Sequence, residues 1–296
     1  GLGLRLIYSL DTHLHNDFIS GSRELAAQAG VQVGASAEAE LGFEHLPLQD
    51  GQVIQLGDLS IQVLATPGHT PEHISFSLTE AEKQAPSALF SGGALMVGGA
   101  ARTDLLGDSL AEPLAHKLYR SIHHKLLQLP DEVAVYPTHG AGSFCAAPVI
   151  PERSTTIGRE RIWNPLAQTL AEGDFVHRAL SDLPSYPTYF KHLRRINQGG
   201  PPLLGGVPPL KPLPPQAVAQ AMAQSVAILD IRSPQEFAAG HIPESFGIPL
   251  GAPLVVWAGW VIPFGAPLIL IADHPSQQEE ATRQLIRIGY DDLRGY

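Results

Sequence analysis

Two histidines and an aspartate stand at alternate positions near the beginning of the sequence. The stretch THLHNDF holds His13, His15 and Asp17 directly after an apolar run. Alternate residues of an extended segment point to the same side, so His13 and His15 can face one metal ion together. Imidazole and carboxylate groups are ordinary protein ligands of zinc and iron. The pattern therefore predicts a metal site, against the alternative that these side chains form only a polar strand end.

Two further histidines stand where a strand is expected to end. His69 lies in ATPGHT and His139 lies in YPTHG, each after an apolar stretch. Loops at strand ends are positioned by a rigid sheet and often carry functional groups. His69 would complete a three-histidine site with His13 and His15 that leaves one coordination position open. For Asp17 and His139, metal ligation and the capping of loops remain equal alternatives.

The elements that must position these residues follow from hydrophobic patterning. Apolar runs predict a strand before His139 and a buried strand at residues 4–10, and alternation predicts a hairpin around Gly57-Asp58. A short helix is expected between Ser22, as its N-cap, and a stop at Gly30. A second helix over residues 109–129 carries three histidines that are expected to be ordinary surface or boundary residues: His116, His123 and His124.

The composition is that of a globular protein and restricts its partners. The 296 residues suggest two domains, with 44% hydrophobic and 16% charged residues. A net charge of −10 without a basic cluster argues against nucleic acid and anionic membranes as partners. The single cysteine, Cys145, excludes an internal disulfide framework and is expected to be a small buried residue. With no recognisable secretion signal, a cytoplasmic location is expected.

A segment rich in proline and glycine divides the sequence. Residues 199–215 contain four glycines and seven prolines, which predicts a semi-rigid linker between domains at 1–198 and 216–296. The uncharged stretch 252–272 has the length of a membrane span, but three prolines interrupt it. We therefore expect buried strands and turns of the second domain there.

The order of these motifs resembles the metallo-β-lactamase fold family, and within it the glyoxalase II and persulfide dioxygenase branch. The similar segments are LDTHLHNDFISG, LATPGHTPEH, LFSGGALMVGGAARTDL, VYPTHGAGSFC and STTIGRERIWNP. The resemblance covers most of residues 5–198 and implies an α/β fold, an αββα sandwich of two sheets. Several strands precede the first histidine motif in that family, whereas 12 residues precede His13 here. We therefore expect either that the chain is a fragment or that its first sheet is incomplete, with apolar surface left exposed.

The family's ligand pattern is matched unevenly. His13, His15 and Asp17 fit the motif T-H-x-H-x-D-H, but Phe18 stands where the last histidine belongs. The family then has an aspartate ligand in an S/T-G-D segment, and this sequence has Gly93 at that position. The resemblance therefore implies a centre that has lost two of its ligands.

These losses restrict the expected cofactor to one metal ion. Asp17 and His139 alone are too few ligands to hold a second ion. The three remaining imidazoles carry no charge, a set that suits Zn(II) and can still hold Fe(II). The expected cofactor is accordingly one Fe(II) or one Zn(II).

One further family motif, G-R-x-D-L, is nearly intact. It reads ARTDL here, so Ala101 replaces the glycine while Arg102 and Asp104 are kept. Arg102 is the candidate for binding an anionic substrate. The alternative is a structural ion pair between Arg102 and Asp104.

The C-terminal part resembles the rhodanese domain through VAILDIRSPQEFAAGHIPESFGIPL. Rhodaneses carry a nucleophilic cysteine after a later strand, and Asp273 or His274 stands at that position here. A carboxylate cannot accept and pass on a sulfane sulfur, and residues 216–296 contain no cysteine. Sulfur transfer by this domain is therefore excluded, which leaves packing, dimerisation or shaping of a substrate channel as its roles. A homodimer is among the expected assemblies.

Three functions follow from these patterns. The leading hypothesis is a mononuclear dioxygenase that oxidises glutathione persulfide to sulfite. The second is a metal-dependent hydrolase of glutathione thioesters, in which a metal-activated water attacks the carbonyl carbon. The third is a catalytically degenerate metalloprotein that acts as a scaffold or regulator. In the first two, the partner is a small-molecule thiol or persulfide.

Overall fold

The computed structural model describes residues 3–140, 143–147, 151–181, 183–251 and 253–296. The chain divides into two compact units that interleave along the sequence. The first comprises Gly1–Leu14, Ala29–Ser185 and Gln198–Gly200, and the second comprises His15–Gln28, Tyr186–Asn197 and Pro201–Tyr296. Two short segments of the second unit thus precede the predicted linker, and the domain bounds drawn from the sequence stay a prediction.

The first unit is built on two main sheets. Its strands are β1 (Tyr8–Leu10), β2 (Gln32–Ser36), β3 (Leu46–Leu48), β4 (Val53–Leu56), β5 (Leu59–Ala65), β6 (Ile74–Glu80), β7 (Ala88–Gly92), β8 (Ala100–Ala101), β9 (Ala134–Pro137), β10 (Ala146–Ala147) and β11 (Thr155–Thr156). The smaller sheet has the parallel order β1-β2-β3, and the larger has the order β11-β9-β7-β6-β5-β4. Strands β8 and β10 form a separate antiparallel pair.

Two apolar layers fill this unit. The strand and helix patterns bury one face of each element, as amphipathic segments must. One cluster lies between the two sheets and includes Leu48, Val63 and Phe76. The other lies between the larger sheet and its helices, and its buried members include Leu89 of β7 and Leu118. The predicted sandwich of sheets is therefore present.

Of the helices of the first unit, α2 (Asp108–His124) lies between β8 and β9 along the chain, and α3 (Ile157–Trp163), α4 (Pro165–Gln168) and α5 (Glu172–Leu180) follow β11. The preceding helix α1 (Ser22–Ala29) belongs to the second unit up to Gln28. Helix α2 buries residues three and four positions apart, among them Leu114, Leu118 and Ile122. Its histidines are surface or boundary residues as predicted: His116 and His123 are half-buried and His124 is exposed.

The second unit contains a parallel sheet with helices between its strands. In chain order its elements are α6 (Phe190–Gly199, of which Gln198 and Gly199 belong to the first unit), α7 (Pro215–Met222), β12 (Ala227–Asp230), α8 (Pro234–Ala239), β13 (Phe246–Gly247), α9 (Leu254–Val261), β14 (Leu268–Ile271), α10 (Pro275–Ile286) and β15 (Leu293–Gly295). The strand order is β13-β12-β14-β15. Buried Ile228 and Ile269 form its centre together with Val218 of α7.

Several predicted elements are confirmed. The hairpin of β4 and β5 turns at Gly57-Asp58, where Gly57 has φ +59°. Helix α1 ends before Gly30, whose φ of +66° is typical of a C-terminal stop. Cys145 is fully buried. Of the linker, residues 200–214 contain neither helix nor strand, and their end is tied to Tyr296, because the Leu213 N–H donates to its carbonyl at 2.7 Å.

Three predictions of local structure are wrong. The strand predicted at 4–10 is confined to β1, which is half-buried, and Leu4, which precedes β1, is 80% exposed. Ser22 is the first residue of α1 and not its N-cap. For the stretch 252–272 the prediction is wrong only in part: it contains the buried strand β14 as expected, but also the helix α9, because Pro253 and Pro263 flank an uninterrupted apolar segment. Over the described residues, no helix has both the length and the apolar character that a membrane crossing requires.

Candidate metal centre

Three histidines from separate loops of the first unit converge. His13 follows β1, His69 follows β5 and His139 follows β9, so each stands just beyond the end of a strand. All three are buried, with at most 5% of each residue exposed. One nitrogen from each ring lies within 4.8 Å of the others. We call these three residues the histidine cluster.

The spacing within the histidine cluster fits one metal ion. The Nε2 atoms of His13 and His139 are 3.3 Å apart. Nitrogens about 2.0–2.1 Å from a shared tetrahedral ion stand roughly 3.3–3.4 Å from each other. The centroid of the His69 ring is 4.8 Å from that of His13 and 5.4 Å from that of His139. The donor set and its spacing therefore suit a single Zn(II) or Fe(II).

Two hydrogen bonds orient the rings. The Nδ1 of His69 donates to the Arg102 carbonyl at 2.7 Å, which presents Nε2 as the ligand atom. The Nδ1 of His13 lies 2.9 Å from the Thr12 hydroxyl. Outer contacts of this kind fix the tautomer and direction of a ligating imidazole.

Local backbone geometry brings the His69 loop to its place. Gly68 adopts φ +152° and passes so close to α2 that a Cβ there would lie 2.4 Å from the Cβ of Leu118. The loop is also joined to the His13 loop, because the Glu72 carboxylate accepts the Leu14 N–H at 2.9 Å. The Pro-Gly turn of the sequence motif is thus a packing requirement as well as a turn.

A fourth histidine, His73, supports the cluster and was missed by the sequence analysis. Its ring stacks on His13 with centroids 4.9 Å apart. Its Nε2 accepts the Gly93 N–H at 2.9 Å, and its Nδ1 lies 2.9 Å from the Thr66 hydroxyl. The signal was its position four residues after His69 in GHTPEH, which we treated only as part of a motif.

The position of the missing aspartate is closed in this structure. A Cβ on Gly93 would lie 2.7 Å from Cδ2 of His69 and 2.9 Å from the Cβ of Ala101. Such distances are not tolerated between real side chains, so a side chain at 93 requires its neighbours to move. The glycine at 93 and the alanine at 101 are thus sterically matched to each other.

The histidine cluster differs from the predicted set in one member. The sequence analysis grouped His15 with His13 and His69 and left His139 to a second metal position, whereas the structure joins His139 to the first group. Residues 12–18 contain bends and no strand, so the rule of alternate positions, which assumes an extended strand, does not apply to this segment. His15 and Asp17 belong to the second unit, and their ligation stays a prediction.

Within the second unit, His15 is held by contacts with Phe18, Asp17 and Asn197. Its ring stacks on Phe18, with centroids 4.0 Å apart, and its Nδ1 is 3.4 Å from an Asp17 carboxylate oxygen. The Asn197 side chain donates to the carbonyls of His15 and Phe18, each at 2.8 Å. Phe18 therefore occupies the family's histidine position as a packing partner of His15.

Arg102 forms the ion pair that was the alternative interpretation of this residue. Its guanidinium makes two bonds of 2.6 Å to the Asp104 carboxylate. A further nitrogen donates to the carbonyls of Phe144 and Pro184. With 5% of the residue exposed, these contacts account for most of its donors. Substrate binding by Arg102 stays a prediction.

A cavity of about 410 Å³ adjoins the histidine cluster. It is lined by Pro137, Thr138, His139, Gly140, Pro151 and Arg153. This volume lies within the range of small-ligand sites. The cavity therefore gives a small molecule a place beside one of the clustered imidazoles.

Asp273 lies in the second unit between β14 and α10. Its N–H and that of His274 donate to the Gln277 side chain at 2.9 and 3.1 Å. Desolvation raises the pKa of the Asp273 carboxyl, and the neighbouring Glu236 carboxylate raises it further. The junction of β14 and α10 thus carries two neighbouring carboxyl groups, those of Asp273 and Glu236, and the Gln277 side-chain amide accepts its backbone N–H groups.

The sequence is similar to two kinds of curated protein. It is 35% identical over 158 residues to the mitochondrial persulfide dioxygenase ETHE1 of Homo sapiens, a match that covers 52% of this chain and 56% of that protein. It is 31% identical over 186 residues to the hydroxyacylglutathione hydrolase GloC of Haemophilus influenzae, covering 55% of this chain and 77% of that protein. The chain thus spans little more than half the length of the human relative.

A solved structure and a family model extend these similarities to the whole chain. A metallo-β-lactamase structure from Staphylococcus aureus subsp. aureus COL has a TM-score of 0.89 and 32% identity to this chain. The match covers 99% of this chain and 85% of that one. The model of the rhodanese-like domain family matches residues 214–296.

Proposed function

Because the chain belongs to the metallo-β-lactamase family and carries a rhodanese-like domain at its C-terminal end, we propose that it is a mononuclear dioxygenase of thiol persulfides. The observation that carries the proposal is the convergence of His13, His69 and His139 on one point beside a cavity. The persulfide dioxygenase relatives supply the reaction class. Glutathione persulfide is the proposed substrate.

The proposed reaction balances without a further reductant. One persulfide, one dioxygen and one water give one thiol, one sulfite and two protons. His13, His69 and His139 would hold the ion, and Fe(II) bound there would supply a redox-active Lewis acid for the reaction. The chain's own contribution is to hold three imidazoles in place. Because neutral imidazole ligands do not offset the charge of a bound cation, such an ion would attract an anionic sulfur strongly.

Burial of the histidine cluster serves this chemistry. The three ligand residues are at most 5% exposed, so bulk water has little access to their rings. The Arg102 carbonyl fixes the tautomer of His69, and the Thr12 hydroxyl orients the ring of His13, whose Nε2 lies 3.3 Å from that of His139. A site fixed in this way needs little rearrangement when substrate enters.

Oxygen consumption tests the proposal. The Fe(II)-loaded chain is expected to consume dioxygen with glutathione persulfide, and His69→Ala is expected to abolish that uptake. The matched control is His116→Ala, which removes a half-buried histidine of α2 that pairs with Glu172. No uptake above buffer by the Fe(II)-loaded parent chain would refute the dioxygenase.

A hydrolase of glutathione thioesters is the second candidate. It is favoured by the hydroxyacylglutathione hydrolase relative, of which the match covers the larger share. This function predicts close to two zinc ions per chain and thioester cleavage by the zinc-loaded protein. A content of one ion without thioester cleavage would remove it. If neither activity appears in a metal-loaded chain, the degenerate metalloprotein is the remaining function.

A further inference from the structure

We propose that Arg153 binds the carboxylate of the thiol carrier and thereby selects anionic substrates, an inference that rests on the proposed function. Arg153 lines the same cavity as His139. A residue that shares a cavity with a clustered imidazole can hold the remote end of a molecule whose sulfur lies at the metal. Arg153 would thus take the anion-binding role that the sequence analysis gave to Arg102.

Among the described residues of the first unit, no acidic side chain neutralises the charge of Arg153. Its side chain is exposed, and no carboxylate among the described residues forms an ion pair with it. The adjacent Glu152 is bound to Arg159 at 3.2 Å, and the pKa of Glu152 is lowered by hydrogen bonds to its own backbone N–H and to Arg159. Arg102, in contrast, is neutralised by Asp104. Arg153 is therefore the better placed of the two to meet an incoming anion.

Arginine is suited to this task by its geometry. Its planar guanidinium can donate two parallel hydrogen bonds to one carboxylate. A chain with a net charge of −10 repels anions at long range, so a local cation beside the cavity is needed to favour them. The cavity itself, at about 410 Å³, is large enough for part of a tripeptide thiol.

Binding of an unreactive analogue tests this role without turnover. The probes are S-methylglutathione and its dimethyl ester, which differ in carboxylate charge, titrated calorimetrically into the zinc-loaded full chain. The parent is expected to prefer the free acid by about tenfold or more, since a charge-assisted hydrogen bond is at stake. Arg153→Gln is expected to cancel this preference, while Arg153→Lys retains part of it.

The control is Arg120→Gln, which removes an exposed arginine on α2 that pairs with Glu172. This variant is expected to keep the parent's preference. A preference that persists in Arg153→Gln, a parent without preference, or a parent that binds neither probe would overturn the inference.

A kinetic readout separates this inference from the proposed function. If the parent oxidises glutathione persulfide, Arg153→Gln is expected to raise KM about tenfold and to leave kcat nearly unchanged. Turnover with an unchanged KM would overturn the role of Arg153 and leave the dioxygenase standing. Charge-dependent binding by a chain that consumes no dioxygen would overturn the dioxygenase and leave the role of Arg153 standing.

Discussion

The histidine cluster of the first unit and the β14–α10 junction of the second have each lost a group that their families use, but the losses differ in kind. At Gly93 a hydrogen atom stands where the family has a charged side chain, the ring of His69 lies against this position, and the Gly93 N–H donates to Nε2 of His73. At Asp273 the nucleophile's position holds a carboxylate beside Glu236. The loss at Gly93 leaves the three imidazole donors of the cluster in place. The carboxylate at Asp273, next to that of Glu236, instead makes the junction unfavourable for a further negative charge such as a thiolate.

The largest effect is expected from removing a donor of the histidine cluster. His69→Ala should weaken zinc binding by more than about 100-fold, because two imidazoles remain and even outer-shell contacts are worth 10- to 100-fold. Elemental analysis after dialysis measures the loss, with His124→Ala on α2 as the control. Equal metal content in the two variants would show that the cluster is not the metal site.

The comparison predicts that an aspartate can be restored at position 93 without loss of stability only if Ala101 is also made smaller. Gly93→Asp alone should lower the free energy of unfolding by about 1–3 kcal/mol, since its Cβ meets His69 and Ala101. Adding Ala101→Gly should recover part of that loss and strengthen Fe(II) binding through the new carboxylate. Chemical denaturation and metal titration of both variants provide the measurement. A single variant as stable as the parent would contradict the steric match.

The like-charge environment of the second region should prevent simple reactivation. In Asp273→Cys the thiol pKa is expected to be no lower than its ordinary value of about 8.5, because the Glu236 carboxylate disfavours a thiolate. Adding Glu236→Gln should lower that pKa, because the repulsion from Glu236 is removed while the attraction of Arg232 remains. The pH dependence of alkylation, measured on each variant, gives the two values. Cys145 is buried and serves as the internal control.

The smallest effect concerns stability at the same junction. Because the folded pKa of Asp273 is raised, the unfolded chain releases this proton more readily, which disfavours the folded state once pH exceeds the unfolded value of about 3.9. Asp273→Asn should therefore raise Tm slightly at pH 7, and the gain should shrink as pH falls below about 4. Thermal unfolding at pH 7 and pH 3.5 checks both parts. A gain that is equal at both pH values would exclude this electrostatic origin.

The sequence predicted the strand-end positions of the histidines because each motif combines an apolar run with a turn. Gly57 and Gly30 are local signals of the same kind. The membership of His139 in the histidine cluster could not be derived from the sequence, because it depends on which loops of the two sheets meet in space. The contacts of His73 and Glu72 were likewise invisible, because they join segments that no local pattern connects. Arg102 shows the same limit: its pairing with Asp104 was open to sequence reasoning, but its bonds to the distant carbonyls of Phe144 and Pro184 were not.

The wide separation of the three clustered histidines along the chain has a consequence for folding. Their loops belong to strands of different sheets, so the donors meet only after both sheets have formed and packed. In an extended chain, closing two such long loops around an ion is costly in entropy. The ion is therefore expected to arrive last, in a folded chain, and to report on successful folding without initiating it.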